Sequence, residues 1–374
     1  RRRHTRLGRW SRGLGDVYKR QKYKSEVERH TRLSKVYQLE KVKPDAVLLA
    51  SSRGLVVTEG MFAEENMTGF NLSLTSGSTY ELYRMLQHAQ HVSPLKRVVL
   101  ALDELITGDK QPGFVEGRLA VAYDGAATPG QFSQRLRDMF SALLSHDAFK
   151  ASLRTIRKQK ASATSDNTEY KSERVRNAGG HRQMFRTMEA SMFSEYKGPD
   201  NLCQRDQGSS ESVTLADLVY FEKIVELAYM NDIDLYIYFS PSHARLYEVK
   251  CMTGDFPAIA ETKRQVVNVV SALAEKYMKP PYAVWDFSGY NDVTTEVVPV
   301  SGDNRLMRWY WEDSHYTKET AALIFGRIFG VGDGDMDVVG FGKQVSVKNI
   351  EQHLNEIQDD RKAYINSHGD DVLE

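Results

Sequence analysis

Two short segments near opposite ends of the chain carry side chains that could do nucleophilic chemistry together. Ala50-Ser51-Ser52-Arg53-Gly54 places two hydroxyls in a small, polar turn directly after an apolar run. Trp311-Glu312-Asp313-Ser314-His315-Tyr316 places an acid two residues before an imidazole, just ahead of a helix-like stretch. Ester hydrolysis by serine needs an exposed hydroxyl, an imidazole to take its proton, and an acid to hold that imidazole. It also needs donors for the negative charge that develops on the carbonyl oxygen. Ser52, His315 and Asp313 match the first three in type, and Asp313 and His315 can reach one site from a single loop. Each segment alone has a plainer reading, because serines cap helices and an Asp-x-His triplet can be an ordinary loop.

Other reactive side chains carry less. His243, in Pro241-Ser242-His243, follows an apolar run and should lie at the same rim, as a substrate contact or as a structural histidine. His88 and His91 are three apart on one helical pattern, but no further ligand chemistry lies nearby in sequence, so they read as surface histidines. Asp333-Gly334-Asp335-Met336-Asp337 begins like a calcium loop. Val338 then stands where glycine is required and Gln344 where a bidentate glutamate is required, so the loop is rejected. There is no Gly-x-Gly-x-x-Gly after a strand, no Walker loop and no His-Glu-x-x-His, nor a Gly-x-Ser-x-Gly elbow. No metal and no cofactor is expected. Trp309, Tyr310 and Trp311 could stack on sugar rings, although aromatics beside such a loop are more often core.

The elements that must position these groups alternate along the chain. Apolar runs at 46–50, 97–102, 234–239 and 282–287 have the look of central strands buried on both faces, and 70–74 supplies a shorter one. Helical periodicity lies between them: Leu82 to Ala89, Leu215 to Ala228 (with Thr214 and Asp217 in capping-box spacing), 259–277 and 317–329. This order predicts a three-layer α/β/α fold on a parallel sheet, flavodoxin-like in type, with sites at the carboxyl ends of the strands. Residues 104–213 are too long for a connection. Their helix-like stretches at 131–144, 147–159 and 181–195 are expected to form a helical cap over the sheet edge. The basic cluster Arg154, Arg157, Lys158 and Lys160 within it reads as a solvated helix face. A carboxy-terminal helix should present Ile350, Leu354, Ile357 and Ile365 on one stripe.

Composition sets the outer bounds. The chain has 374 residues, 41% apolar and 27% charged, with 50 basic and 50 acidic side chains. Residues 1–21 hold eight of the Arg and Lys against Asp16 alone, which leaves 42 basic and 49 acidic residues beyond them. Asp16-Val17-Tyr18-Lys19-Arg20-Gln21 looks like an in-frame translation of a sequencing-library adaptor, so residues 1–21 are expected to be foreign to the fold, and 22–374 to form a single domain. On that reading the basic arm implies no nucleic-acid partner. A membrane anchor belonging to the natural amino terminus would be missing, and a periplasmic or membrane-anchored location is favoured. Cys203 and Cys251 could form one disulfide but make no framework.

Taken together, these blocks resemble the SGNH hydrolase superfamily over roughly residues 30–365. They come nearest to a group of bacterial SGNH-like proteins with a Ser-Ser-Arg turn and an Asp-Ser-His-Tyr loop. The likeness rests on Ser51-Ser52-Arg53, Asn71 to Gly77, Leu102-Asp103, Pro241-Ser242-His243, 285–291 and 313–316. Alginate O-acetyltransferase-like proteins have a similar Asp-x-His spacing. The resemblance implies a serine esterase or O-acyltransferase working through an acyl-enzyme, on a small-molecule or polysaccharide acyl ester. Ser52 would be nucleophile, with Ser51 as runner-up, His315 base and Asp313 its orienter. The amides of Ser52 and Gly77 would be oxyanion donors, with Asp103 where the superfamily places an asparagine. Arg53 and His243 would contact substrate. Ala50 stands where glycine is usual, and an ionised Asp103 would repel an oxyanion. The alternative is a catalytically impaired module that binds polysaccharide or a partner protein through the same cleft.

Overall fold

The computed structural model describes residues 30–104, 109–144, 150, 167–195, 215–303, 305–330, 338 and 340–372. Six strands form one sheet: β1 (Ala46–Leu49), β2 (Gly69–Asn71), β3 (Arg97–Leu102), β4 (Asp234–Phe239), β5 (Val284–Asp286) and β6 (Lys343–Val345). Their spatial order is β2-β1-β3-β4-β5-β6. The first five are parallel, and β6 adds an antiparallel edge with Val345 opposite Val284.

Strand parity builds two cores, as a sheet covered on both faces requires. Val47, Leu49, Val98, Leu100, Leu102, Leu235, Ile237 and Phe239 face one side. There they meet α1 (Thr31–Val42), α2 (Thr79–Val92), α6 (Leu215–Met230) and α8 (Phe256–Tyr277). Ala46, Leu48, Ala50, Val99, Ala101 and Tyr238 face the other, against Trp309, Tyr310, Tyr316 and α9 (Lys318–Phe329). The fold is therefore α/β with a helical layer on each face of a mostly parallel sheet. Helix α2 starts at a capping box in which Ser78 and Glu81 bond each other's backbone amides. Among the described residues, no helix is long and apolar enough to cross a membrane.

The described parts of the insertion go to two places. Helix α3 (Gln131–Leu144) lies on α1, whereas α4 (Asn167–Asn177) packs on α5 (His181–Glu195), and α5 packs on α7 (Ala244–Met252). The final helix α10 (Ile350–Val372) covers β5 from the carboxyl side. Ile350, Leu354 and Ile357 are buried on it as expected, but Tyr364, not Ile365, completes the stripe. Apart from residue 150, the stretch 147–159 lies outside the described residues, as do the basic cluster, Thr214, Cys203 and Asp333 to Asp337; Cys251 is in a disulfide.

Candidate active site

In the order 2-1-3-4-5, the chain leaves β1 and β3 in opposite directions, so a crevice opens between their carboxyl ends. Ser51 and Ser52 follow β1 there, and Asp103 follows β3. The turn after β1 is a short 3-10 helix, Ser52–Val56, whose first amide has no partner within the turn. Two features hold it. Asn71 donates to the carbonyls of Gly54 and Val57, both at 2.8 Å, while its own oxygen accepts from Ser73 N. Gly54 lies so close to β1 that a Cβ there would sit 2.4 Å from the Ala50 Cβ.

The second half of the site is a tight loop bridged between Tyr310 and Tyr316. Trp311 N donates to His315 O, and Thr317 N to Trp309 O. The loop is braced from three sides. His243 N donates to Asp313 O. Glu296 accepts from the amides of Arg308 and Trp309. His181, on α5, accepts from Met307 N through Nε2, and its Nδ1 lies 3.0 Å from Trp311 O.

These two halves bring Ser52 Oγ to 2.8 Å from His315 Nε2. The imidazole is about one-third exposed, so a substrate can reach it. Its other nitrogen meets Glu312, and here the sequence expectation is corrected: Glu312, three residues before the histidine, holds Nδ1, whereas Asp313 does not. Glu312 is fixed by the amide of Ser314 at 2.9 Å and by its hydroxyl. Burial alone would raise the Glu312 pKa, but the hydrogen bonds from His315 and from the Ser314 amide hold it well below the ordinary range. Asp313 is fully buried, and neither carboxyl oxygen has a hydrogen-bond partner by geometry among the described residues. Burial, followed by the adjacent Glu312, pushes its pKa well up, so Asp313 is the neutral member of the pair. With the Nδ1 proton directed at Glu312, the Nε2 lone pair faces the Ser52 hydroxyl. That arrangement can draw a proton from serine.

Other expected site residues fall differently. Ser51 is buried; its Oγ donates to Asp103 at 3.1 Å and accepts from Arg53 N, and it does not face the imidazole. Asp103 is a third exposed, with Arg53 Nε 3.7 Å away. Arg53 is not a substrate contact: its buried guanidinium pairs with Glu104 at 2.8 Å, and Glu104 also takes Lys250 and Ser242. The Gly77 amide is already occupied by Leu74 O at 3.0 Å, which leaves no donor there for an oxyanion. His243 is structural. It is buried at the start of α7, its Nδ1 accepting from Arg245 N and its Nε2 bonding Glu296 O.

His88 is not a surface histidine. It is buried, accepting from Ala120 N and bonding Val36 O, and burial lowers its pKa to about 4. Among the described residues, no cluster of His, Cys, Asp or Glu is arranged to hold a metal. Trp309, Tyr310 and Trp311 are buried. Sequence reasoning assigned no role to Glu312, Asn71 or His181; Glu312 had a signal as an acid within reach of the same histidine, and Asn71 as the first residue of the Asn71 to Gly77 block, whereas His181 had none. Neither models of known protein families nor curated proteins match the chain.

Proposed function

We propose that the protein is a serine esterase or O-acyltransferase of SGNH type, acting on an acyl ester of a small molecule or a carbohydrate. The observation that carries this reading is the 2.8 Å contact between Ser52 Oγ and His315 Nε2, with Glu312 on the far nitrogen. In the reaction, Ser52 Oγ attacks the acyl carbon while its proton passes to His315 Nε2. The tetrahedral adduct collapses, and the alcohol leaves with that proton. Water, or an acceptor hydroxyl, then gives its own proton to His315 and attacks the acyl-enzyme; as the second adduct collapses, His315 returns that proton to Ser52 Oγ and the acid or new ester leaves. Glu312 keeps the ring in the required tautomer and balances the imidazolium. The Ser52 amide, at the start of its turn, is an oxyanion donor.

A second reading, a non-catalytic binding module, is favoured by one observation. The oxyanion donors are incomplete, since the Gly77 amide is occupied and a carboxyl, Asp103, stands beside the nucleophile turn. Turnover of p-nitrophenyl acetate separates the two. The esterase reading expects turnover that Ser52→Ala reduces to background, and equal rates for both proteins would support the binding module. Product analysis with added sugar acceptors then tells hydrolysis from transfer. The disulfide at Cys251 fits an oxidising compartment.

A further inference from the structure

Helix α3 is docked inside out. Its polar residues face the protein. Asp138 takes a bidentate pair from Arg118 at 2.7 and 3.0 Å, a hydrogen bond from Tyr37 at 2.7 Å and one from Gln134. Gln131 reaches Arg118 O, and Arg135 pairs with Glu40 of α1 at 2.9 Å. Its apolar residues face outward. Phe132 is 74% exposed, Leu136 37%, Met139 47% and Phe140 55%.

Those four fall at i, i+4, i+7 and i+8, one continuous stripe about 100° wide at ~100° per residue. The same spacing sets Arg135 on one side of the stripe and Arg137 on the other. An outward apolar stripe of this kind marks a surface that is covered in use.

Charge identifies what covers it. Each acid that touches α3 among the described residues is already paired: Asp138 with Arg118, and Glu40 with Arg135. The remaining charge on the described helix is cationic. Arg137 is exposed on α3, and Lys41 and Lys43 are exposed at the end of α1, directly after Glu40. Phenylalanine, leucine and methionine beside the exposed Arg137, with Arg135 on the other side neutralised by Glu40, complement an anionic bilayer surface. The apolar row enters the acyl boundary and Arg137 reaches phosphate. A second copy of the same face would bring like charges together. We propose that α3 is a membrane-surface helix that seats the protein in the interface of an anionic lipid bilayer.

Vesicle co-sedimentation of the full chain tests this with two lipid compositions, pure phosphatidylcholine and phosphatidylcholine with phosphatidylglycerol. Binding is expected to the anionic vesicles. Phe132→Ser/Phe140→Ser should weaken it at least tenfold, since burying each phenylalanine is worth roughly a factor of ten or more. Arg137→Glu should weaken it less, and by a margin that shrinks in high salt. The basic residues 1–21 are present in all these proteins, so the differences read α3 alone. All the substituted side chains are exposed, and unchanged circular dichroism would show that the fold is intact. No vesicle binding, or binding that the double variant leaves unchanged, would overturn the proposal. So would a dimer in sedimentation velocity that the double variant dissociates, because the face would then pair two copies.

Discussion

At the scale of single residues, the site turns on which of two adjacent acids is charged. Glu312 is held ionised against His315, and Asp313 is held neutral by burial and by Glu312 itself. Glu312→Gln should therefore lower ester turnover by about 10³–10⁴, the scale seen when the acid behind a catalytic histidine loses its charge. Asp313→Asn should retain most of the turnover, since the amide resembles the neutral acid already present. The pH dependence has a definite sign. A carboxyl whose folded pKa is raised contributes stability at low pH, and loses it as pH climbs above the ordinary aspartate value of 3.8. The Asp313→Asn protein should lack that decline, which urea midpoints between acid and neutral pH would reveal. A collapse of Asp313→Asn turnover with Glu312→Gln still active would reverse the assignment. Sequence spacing could not separate the two, because both acids precede His315 within one loop and only the bridge from Tyr310 to Tyr316 decides which one faces Nδ1.

At the scale of elements, the turn after β1 works because it is pinned from below. Asn71→Ala would leave the buried carbonyls of Gly54 and Val57 without their donor, at a cost of about 1–3 kcal/mol for each. Gly54→Ala would press a methyl against Ala50 and Ser73 Oγ, an overpacking worth about 1–3 kcal/mol. Both should lower the melting temperature and also reduce turnover, because Ser52 moves with the turn. Normal turnover in a destabilised Asn71→Ala protein would show that the pin serves stability only. The strands that set this turn were legible because Ala46 to Leu49, Arg97 to Leu102 and Asp234 to Phe239 are continuous runs that only a doubly covered sheet explains. Strand β6 was not, since Lys343-Gln344-Val345 is three residues long and buries only its valine. The α4 helix was not legible either, because Asn167–Asn177 is almost wholly polar.

At the scale of the molecule, two buried ionic networks tie the rim of the sheet together. One joins Arg53, Glu104 and Lys250 beneath the nucleophile turn. The other joins Lys263, Asp286 and His353, and so fastens α8 and α10 to the end of β5. Burial alone would raise the pKa of Glu104 and Asp286, but Arg53 and Lys250 on one, and Lys263 and His353 on the other, hold both far below the ordinary range. Groups lowered in this way contribute stability above their unfolded pKa values and lose it as pH falls through and below them. The urea midpoint should accordingly drop as pH goes below about 4.5. Glu104→Gln should cost roughly 3–5 kcal/mol at neutral pH, because it strands a buried guanidinium, and should make the acid limb shallower. A Glu104→Gln protein as stable as the wild type would remove this network from the account. Neither network could be read from the sequence, since their members are separated by up to 197 positions between Arg53 and Lys250 and meet only once the sheet is formed.

Activation of Ser52 by His315 can be read from the reactivity of the serine itself. The folded protein is treated with a fluorophosphonate, digested, and its peptides are mapped by mass spectrometry. A single adduct is expected on Ser52, retained in Ser51→Ala and lost in His315→Ala. An adduct on Ser51, or no adduct on a correctly folded protein, would contradict it.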